Sequence, residues 1–356
     1  MSTTARCAAL AAVGAMALAG TAQAATKSVY MGVPPANQKA FQKLGADANA
    51  FFPNQITIHR GDTVDFVPVG FHDVDLPAKG KAPLPLVAPA GTISGATDPA
   101  GVAYWFNGQP NFQFNPALLP PNLGYGKTAT YNGKSEVVSG LPLGDNLKPA
   151  AVKFTKTGTF TYYCNVHAGM KAKVHVVAPK AKAPSKRSDA KRVSKQVAAA
   201  LKEAKRLQNP KVAANNVLLG NAGKGGVEVY AFFPAAQTVP VGTTVTFSMS
   251  PKSFEAHTAT TGPGDPESQP DSFLGKLAGS LEGQIDQAAI YPSDAPPGPA
   301  SLTPSTHGNG FWGTGFLDSS NATPIPSSGQ VKIAAPGTYT FYCLIHPFMK
   351  ATITAS

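Results

Sequence analysis

Cysteine, histidine and methionine occur twice at one spacing: Cys164, His167 and Met170, then Cys343, His346 and Met349. Each set directly follows a strand-like run, GTFTYYC in the first case and GTYTFYC in the second. A thiolate, an imidazole and a thioether together suit copper, because soft sulfur holds Cu(I) while nitrogen still accepts Cu(II). Each loop lacks a second nitrogen, and a histidine lies well upstream of each copy, at His72 and His257. The expected ligand sets are therefore His72, Cys164, His167 and Met170, and His257, Cys343, His346 and Met349. Two imidazoles and one thiolate form a roughly trigonal plane, with the methionine sulfur as a long, weak axial ligand. Such a field is a compromise between the two oxidation states, so an electron is gained or lost with little rearrangement.

A lone Cys in an apolar strand is usually a small core residue, and a lone Met usually fills a gap. Recurrence of all three types at the same intervals, in the same place relative to a strand, argues against both. An oxidising compartment would permit a disulfide between Cys164 and Cys343, but two matching loops are better explained by one metal each. Zinc could take two His, one Cys and water; the repeated Met argues against it, since a thioether contributes little to that ion. A binuclear purple centre would need two cysteines in one loop. The chain has no His-x-His or His-Cys-His sequence, so the oxygen-reducing copper cluster lacks material. His59 and His175 fall on the outward parity of their strands, and His307, in STHGNGFWG, reads as an ordinary surface residue in a flexible loop.

The 356-residue chain opens with Arg6, an apolar stretch and Ala22-Gln23-Ala24. That is the pattern of a secretory signal peptide over residues 1–24, which carries away Cys7 and places the mature protein outside the cytoplasm, in the periplasm or cell envelope. No later stretch holds about 18 continuous apolar residues, so no membrane span is expected. The self-similarity divides the remainder into residues 25–178, a linker over 179–222, and a shorter second copy over 223–356. Short alternating strands with Gly and Pro at the turns indicate an all-β sandwich in each copy. KSVYMGV reads as a strand, residues 36–46 as a helical turn, and residues 73–150 and 261–330 as long Gly/Pro-rich excursions. In the closing hairpin Phe160, Tyr162 and Cys164 share one face, and Ala172, Val174 and Val176 face inward on the return strand.

The net charge of +11 is concentrated in the linker, which carries +9, against +5 over residues 25–178 and −4 over 223–356. Its first part, PKAKAPSKRSDAK, reads as mobile. Val193, Val197, Leu201, Ala204 and Leu207 then mark a basic amphipathic helix from about Asp189 to Leu207, ended by Asn209-Pro210. Such a helix packs against one of its own domains, holds the protein to an anionic envelope or an acidic protein surface, or stays disordered. No aromatic residues interleave with the basic cluster, so no nucleic-acid partner is expected.

The two copies resemble cupredoxins, the small blue-copper proteins related to plastocyanin, azurin, pseudoazurin and amicyanin. The likeness rests on the Cys-x2-His-x2-Met loops, above all CLIHPFM, on the approach strands FTKTGTFTYYC and IAAPGTYTFYC, and on the FFP…GDTV and FFP…GTTV openings. It covers residues 50–72, 150–177, 227–260 and 331–355. The resemblance implies two Greek-key β-sandwiches, one type 1 copper at one pole of each (two copper ions per chain), and single-electron transfer with redox partner proteins. His167 and His346 are then expected as the more exposed ligands. Val166, Ala168, Ile345, Pro347 and Phe348 would form a small apolar docking surface around them, with His72 and His257 more enclosed. An electron carrier is favoured over an enzyme. The alternatives are a nitrite-reductase-like enzyme with an additional non-blue copper involving His307, and a copper-binding or storage module tethered by the basic helix.

Overall fold

The computed structural model describes residues 24–119, 123–320 and 325–356. All but the last residue of the expected leader lies outside the described residues. The described chain is built of β-sheets in two clusters, with a 21-residue helix, Lys186–Arg206, between them in sequence.

In the first half, one five-stranded sheet runs in the order Phe51–Phe52, Thr26–Met31, Thr63–Pro68, Ala150–Phe154, Thr128–Tyr131. The facing sheet runs Val137–Val138, Asp75–Leu76, Gly158–Tyr163, Lys171–Val177, Gln55–His59. Alternation of side chains across the pleat sends Ile56 and Ile58, Val64 and Phe66, and Ala172, Val174 and Val176 into the shared core. Tyr162 sits at its centre, edge-on to Phe51 and Phe66 at centroid distances of 4.8 and 5.0 Å. In the second half, Val227–Phe233, Asn216–Ala222, Thr244–Met249 and Ser328–Ile333 form one sheet, and Ala236–Val239, Lys350–Ala355, Gly337–Tyr342 and Thr260–Thr261 the other. Asn216–Ala222, placed in the linker by the sequence pattern, is thus an interior strand of the second half.

The expected linker is a structural wedge. Ser185 caps its helix by accepting from the Ser188 amide, with Asp189 in the first turn and Lys205 and Arg206 in the last, each complementing the helix dipole. The Lys/Arg-rich stretch expected to be mobile therefore supplies the first turn. Val197, Ala200, Ala204 and Leu207 bury themselves with Phe41, Phe52, Val227 and Val229, residues of both halves. That use of the apolar face removes the surface a membrane-lying helix would need. Ala46–Ala48 crosses over as well, pairing antiparallel with Val227–Val229.

One end of the wedge is fixed by a buried ion pair. Lys27 Nζ lies 2.7 Å from Asp189 and donates to the carbonyls of Thr57 and Pro184 at 2.8 and 2.7 Å. Lys27→Met would strand the Asp189 carboxylate, so we expect a loss of about 3–5 kcal/mol in urea unfolding, largely restored by adding Asp189→Leu. An unchanged urea midpoint in the single variant would contradict this role.

The long excursions carry more order than their composition suggests. Residues 73–150 contribute strands to both sheets of the first half and a separate hairpin, Val87–Thr92 with Pro110–Phe114. Residues 261–330 hold two short helices, Phe273–Ser280 and Gln287–Ile290, which the sequence reading did not anticipate. The two excursions pack on each other: Tyr104 and Phe106 join Leu274, Leu277 and Phe311 in one apolar cluster. Across the same contact Trp105 Nε1 donates to the Pro292 carbonyl at 2.8 Å.

His307 corrects an expectation here. It is a half-buried link between the excursions, with Nδ1 2.9 Å from Asp98 and Nε2 3.4 Å from Asp294. The bond to Asp294 raises its pKa above the usual 6.5, burial opposes this, and Asp98 raises it further. A raised folded-state pKa means the link contributes fully below about 6.5 and fades as pH rises through the folded value. The melting temperature of His307→Asn should therefore lie furthest below that of the unmodified protein in mild acid, and the gap should close in alkali. A gap that widens with pH would contradict the assignment.

Candidate metal centres

Each centre is assembled by one cross-strand pairing. Asp75, three residues after His72, pairs with Tyr163, the residue before Cys164. Thr260, three residues after His257, pairs with Tyr342, the residue before Cys343. The same register in both halves carries an upstream histidine onto the closing loop. Within each loop the Cys amide donates to the Met carbonyl at 3.0 Å, and the Met amide donates back to the His carbonyl at 3.0 and 2.8 Å. These two bonds close each loop on itself.

In the first half the Nδ1 atoms of His72 and His167 are 2.9 Å apart, and Cys164 Sγ lies 3.9 and 3.5 Å from them. In the second half the corresponding distances for His257, His346 and Cys343 are 3.2, 3.6 and 3.7 Å. The point equidistant from the three donors is about 2.0 Å from each in both triangles, near ordinary metal–nitrogen and metal–sulfur bond lengths. Among the described residues these are the two His/Cys/Asp/Glu groups that converge closely enough to hold an ion. Met170 and Met349 are buried, each in the same core cluster as its cysteine. Both cysteines are buried free thiols. His59, His175 and His307 lie elsewhere; His59 bonds to the Ala181 carbonyl and His175 to Thr159.

The amide after each cysteine is clamped by the side chain after the upstream histidine. Asn165 N donates to Asp73 Oδ1 at 2.6 Å, and Leu344 N to Thr258 Oγ1 at 2.8 Å. The two thiols also differ electrostatically. Burial and the charge of Asp73 push the Cys164 thiol up, with His167 opposing. Burial also acts to raise Cys343, but bonds to His257 and His346 outweigh it and bring the thiol down to about 5. Burial and the neighbouring His167 push His72 well down, leaving its imidazole neutral.

Two carboxylates escaped the sequence reading. Glu228 Oε1 accepts from His257 Nε2 at 3.0 Å, and Ser253 donates to Glu228 Oε2 at 2.6 Å. Glu255 Oε1 lies 2.7 Å from His167 Nε2 and Oε2 lies 3.8 Å from His346 Nε2. A carboxylate on the outer nitrogen fixes the ring's tautomer and orientation, leaving Nδ1 free to ligate. The available signal was position: Glu255 precedes His257 by two residues, and Glu228 interrupts the apolar run of VEVYAFF.

His72 and His257 are enclosed, as expected. His167 is not the exposed ligand the resemblance implied: its side chain is 6% exposed, against 17% for His346. Glu255, from the second half, covers the edge that a single sandwich would leave open. Around these edges lies a cleft of about 1140 Å³ between the halves, lined by Phe71, Leu143, Val166, Ile345, Pro347 and Phe348 among others.

No protein-family model and no curated protein sequence matches the chain. Part of it is similar to the solved structure of an oxidised plastocyanin from Dryopteris crassirhizoma, at 22% identity over 40% of this chain and 99% of that one, with a TM-score of 0.21. A dithionite-reduced auracyanin from Roseiflexus castenholzii matches at 20% identity over 40% and 94%, TM-score 0.23. A purple cupredoxin from Nitrosopumilus maritimus matches at 17% over 40% and 98%, TM-score 0.18.

Proposed function

We propose that the chain is a two-centre copper protein that moves single electrons. Each half is a cupredoxin-type Greek-key sandwich holding one type 1 copper through His72, Cys164, His167 and Met170, or His257, Cys343, His346 and Met349. The carrying observation is the repeated triangle of two Nδ1 atoms and one Sγ, built from remote segments by the same strand register. The donor set fits copper: one soft anionic sulfur, two imidazoles and no carboxylate in the triangle, with a thioether in the same loop. When bound, copper supplies a one-electron couple. The protein's own part is to hold the donors in place, through Glu228, Glu255 and the paired loop amides, so that little moves when the charge changes.

Redox partner proteins would meet the cleft beside His346, where Phe71, Leu143 and Phe348 are exposed. A small apolar surface of this kind suits brief contact and quick release. The leader pattern of residues 1–24 supports export, with a mature protein beginning at Ala25. Release of copper on reduction defines the storage alternative, so a redox titration separates the readings. The carrier should give two reversible one-electron steps with copper retained throughout; loss of metal on reduction would contradict it.

A further inference from the structure

We propose that Glu255 is an electron relay between the two centres, and that the first centre exchanges electrons with large partners through the second. This inference rests on the copper reading above and deepens it. The two oxygens of one side chain face the outer nitrogens of two candidate ligands, one from each half: His167 at 2.7 Å and His346 at 3.8 Å. No backbone need be crossed, and the path runs imidazole, carboxylate, imidazole. Its position is fixed from both halves, since Asn49 Nδ2 donates to Oε1 at 3.1 Å and Tyr230 OH donates to the same atom at 2.9 Å.

Access makes the direction. His72, Cys164, His167 and Met170 are each 5% exposed or less, so the first centre offers a bulky protein no ligand edge. His346 keeps a side chain that is 17% exposed at the cleft. With copper held by His257, Cys343, His346 and Met349 and by His72, Cys164, His167 and Met170, the step would move one electron, the second centre being oxidised from Cu(I) as the first is reduced from Cu(II). No atom or proton is exchanged, and the external one-electron donor then re-reduces the second centre. Tunnelling weakens steeply with every gap between orbitals, so replacing a carboxylate that touches His167 at 2.7 Å and stands 3.8 Å from His346 by a hydrocarbon should slow the step.

The test is stopped-flow reduction of the copper-loaded full-length protein by a protein-sized one-electron donor and, separately, by ascorbate. Copper content and both reduction potentials are recorded alongside. With the protein donor, Glu255→Leu should slow filling of the first centre relative to the second by about 10- to 100-fold. Glu255→Gln, which keeps the length and the polar contacts, should restore most of the rate. Cys343→Ser should likewise leave the first centre slow towards the protein donor yet reducible by ascorbate, while Cys164→Ser leaves the second centre fast. A wild-type rate for the first centre in either Glu255→Leu or Cys343→Ser overturns the relay. Should Glu255→Leu not load copper, Cys343→Ser decides alone. Absence of copper–thiolate absorption in the unmodified protein would instead overturn the copper reading.

Discussion

Cys343→Ser should remove half of the copper–thiolate absorption of the loaded protein and leave the other half unchanged; Cys164→Ser should do the converse, and the double variant should be colourless. The effect is large because Sγ is the single soft anionic donor of each triangle. A serine oxygen is hard and stays protonated near neutral pH, so neither the covalency nor the charge is replaced. Independence follows from construction, since each triangle draws its three donors from its own half. Metal analysis and visible spectra of the two single variants check the expectation. Survival of both bands in either variant would mean that the chromophore is not one cysteine per site.

Gly220→Ala should damage the second centre from behind. Gly220 has φ +67° and lies against Glu228 and the His257 ring, where a methyl group would collide with Glu228 Oε1 and stand 2.8 Å from His257 Nε2. The backbone conformation alone costs alanine about 1–2 kcal/mol. Displacing the carboxylate that orients His257 should further weaken copper at that centre by about 10- to 100-fold, with the first centre unaffected. Gly242→Ala is the control: its φ is +91° but nothing lies within 4 Å of the added methyl, so only the conformational cost applies. Competitive titration with a copper chelator separates the two. Equal copper affinity in both variants would contradict the role given to Glu228.

The triangles were legible because their information is local. Cys-x2-His-x2-Met follows a strand whose parity points Cys164 and Cys343 inward, and a histidine lies shortly after the GDTV or GTTV strand of each copy, at His72 and His257. Strand alternation likewise gave the inward face of Lys171–Val177. What was not legible depends on one half touching the other. Val227, Glu228 and Val229 are all buried because their strand has the sheet core on one side and the wedge helix on the other, so alternation is lost. Glu255 sits in a loop whose sequence carries no period, and its partner His167 lies 88 positions earlier in the chain. The same cover explains why His167 is closed when a lone sandwich would expose it. The basic segment showed its amphipathic period but not its destination, because the apolar surface that receives it is shared between Phe41 and Phe52 on one side and Val227 and Val229 on the other.

The central claim is that two like sets of sulfur and nitrogen donors each hold one redox-active copper. Electron paramagnetic resonance of the mature protein, loaded with Cu(II) and assayed for total metal, tests it most directly. Two coppers per chain, both with the compressed hyperfine splitting of a highly covalent copper–thiolate site, are the predicted result. A protein that takes up no copper, or whose copper signal is entirely that of ordinary tetragonal Cu(II), would contradict it.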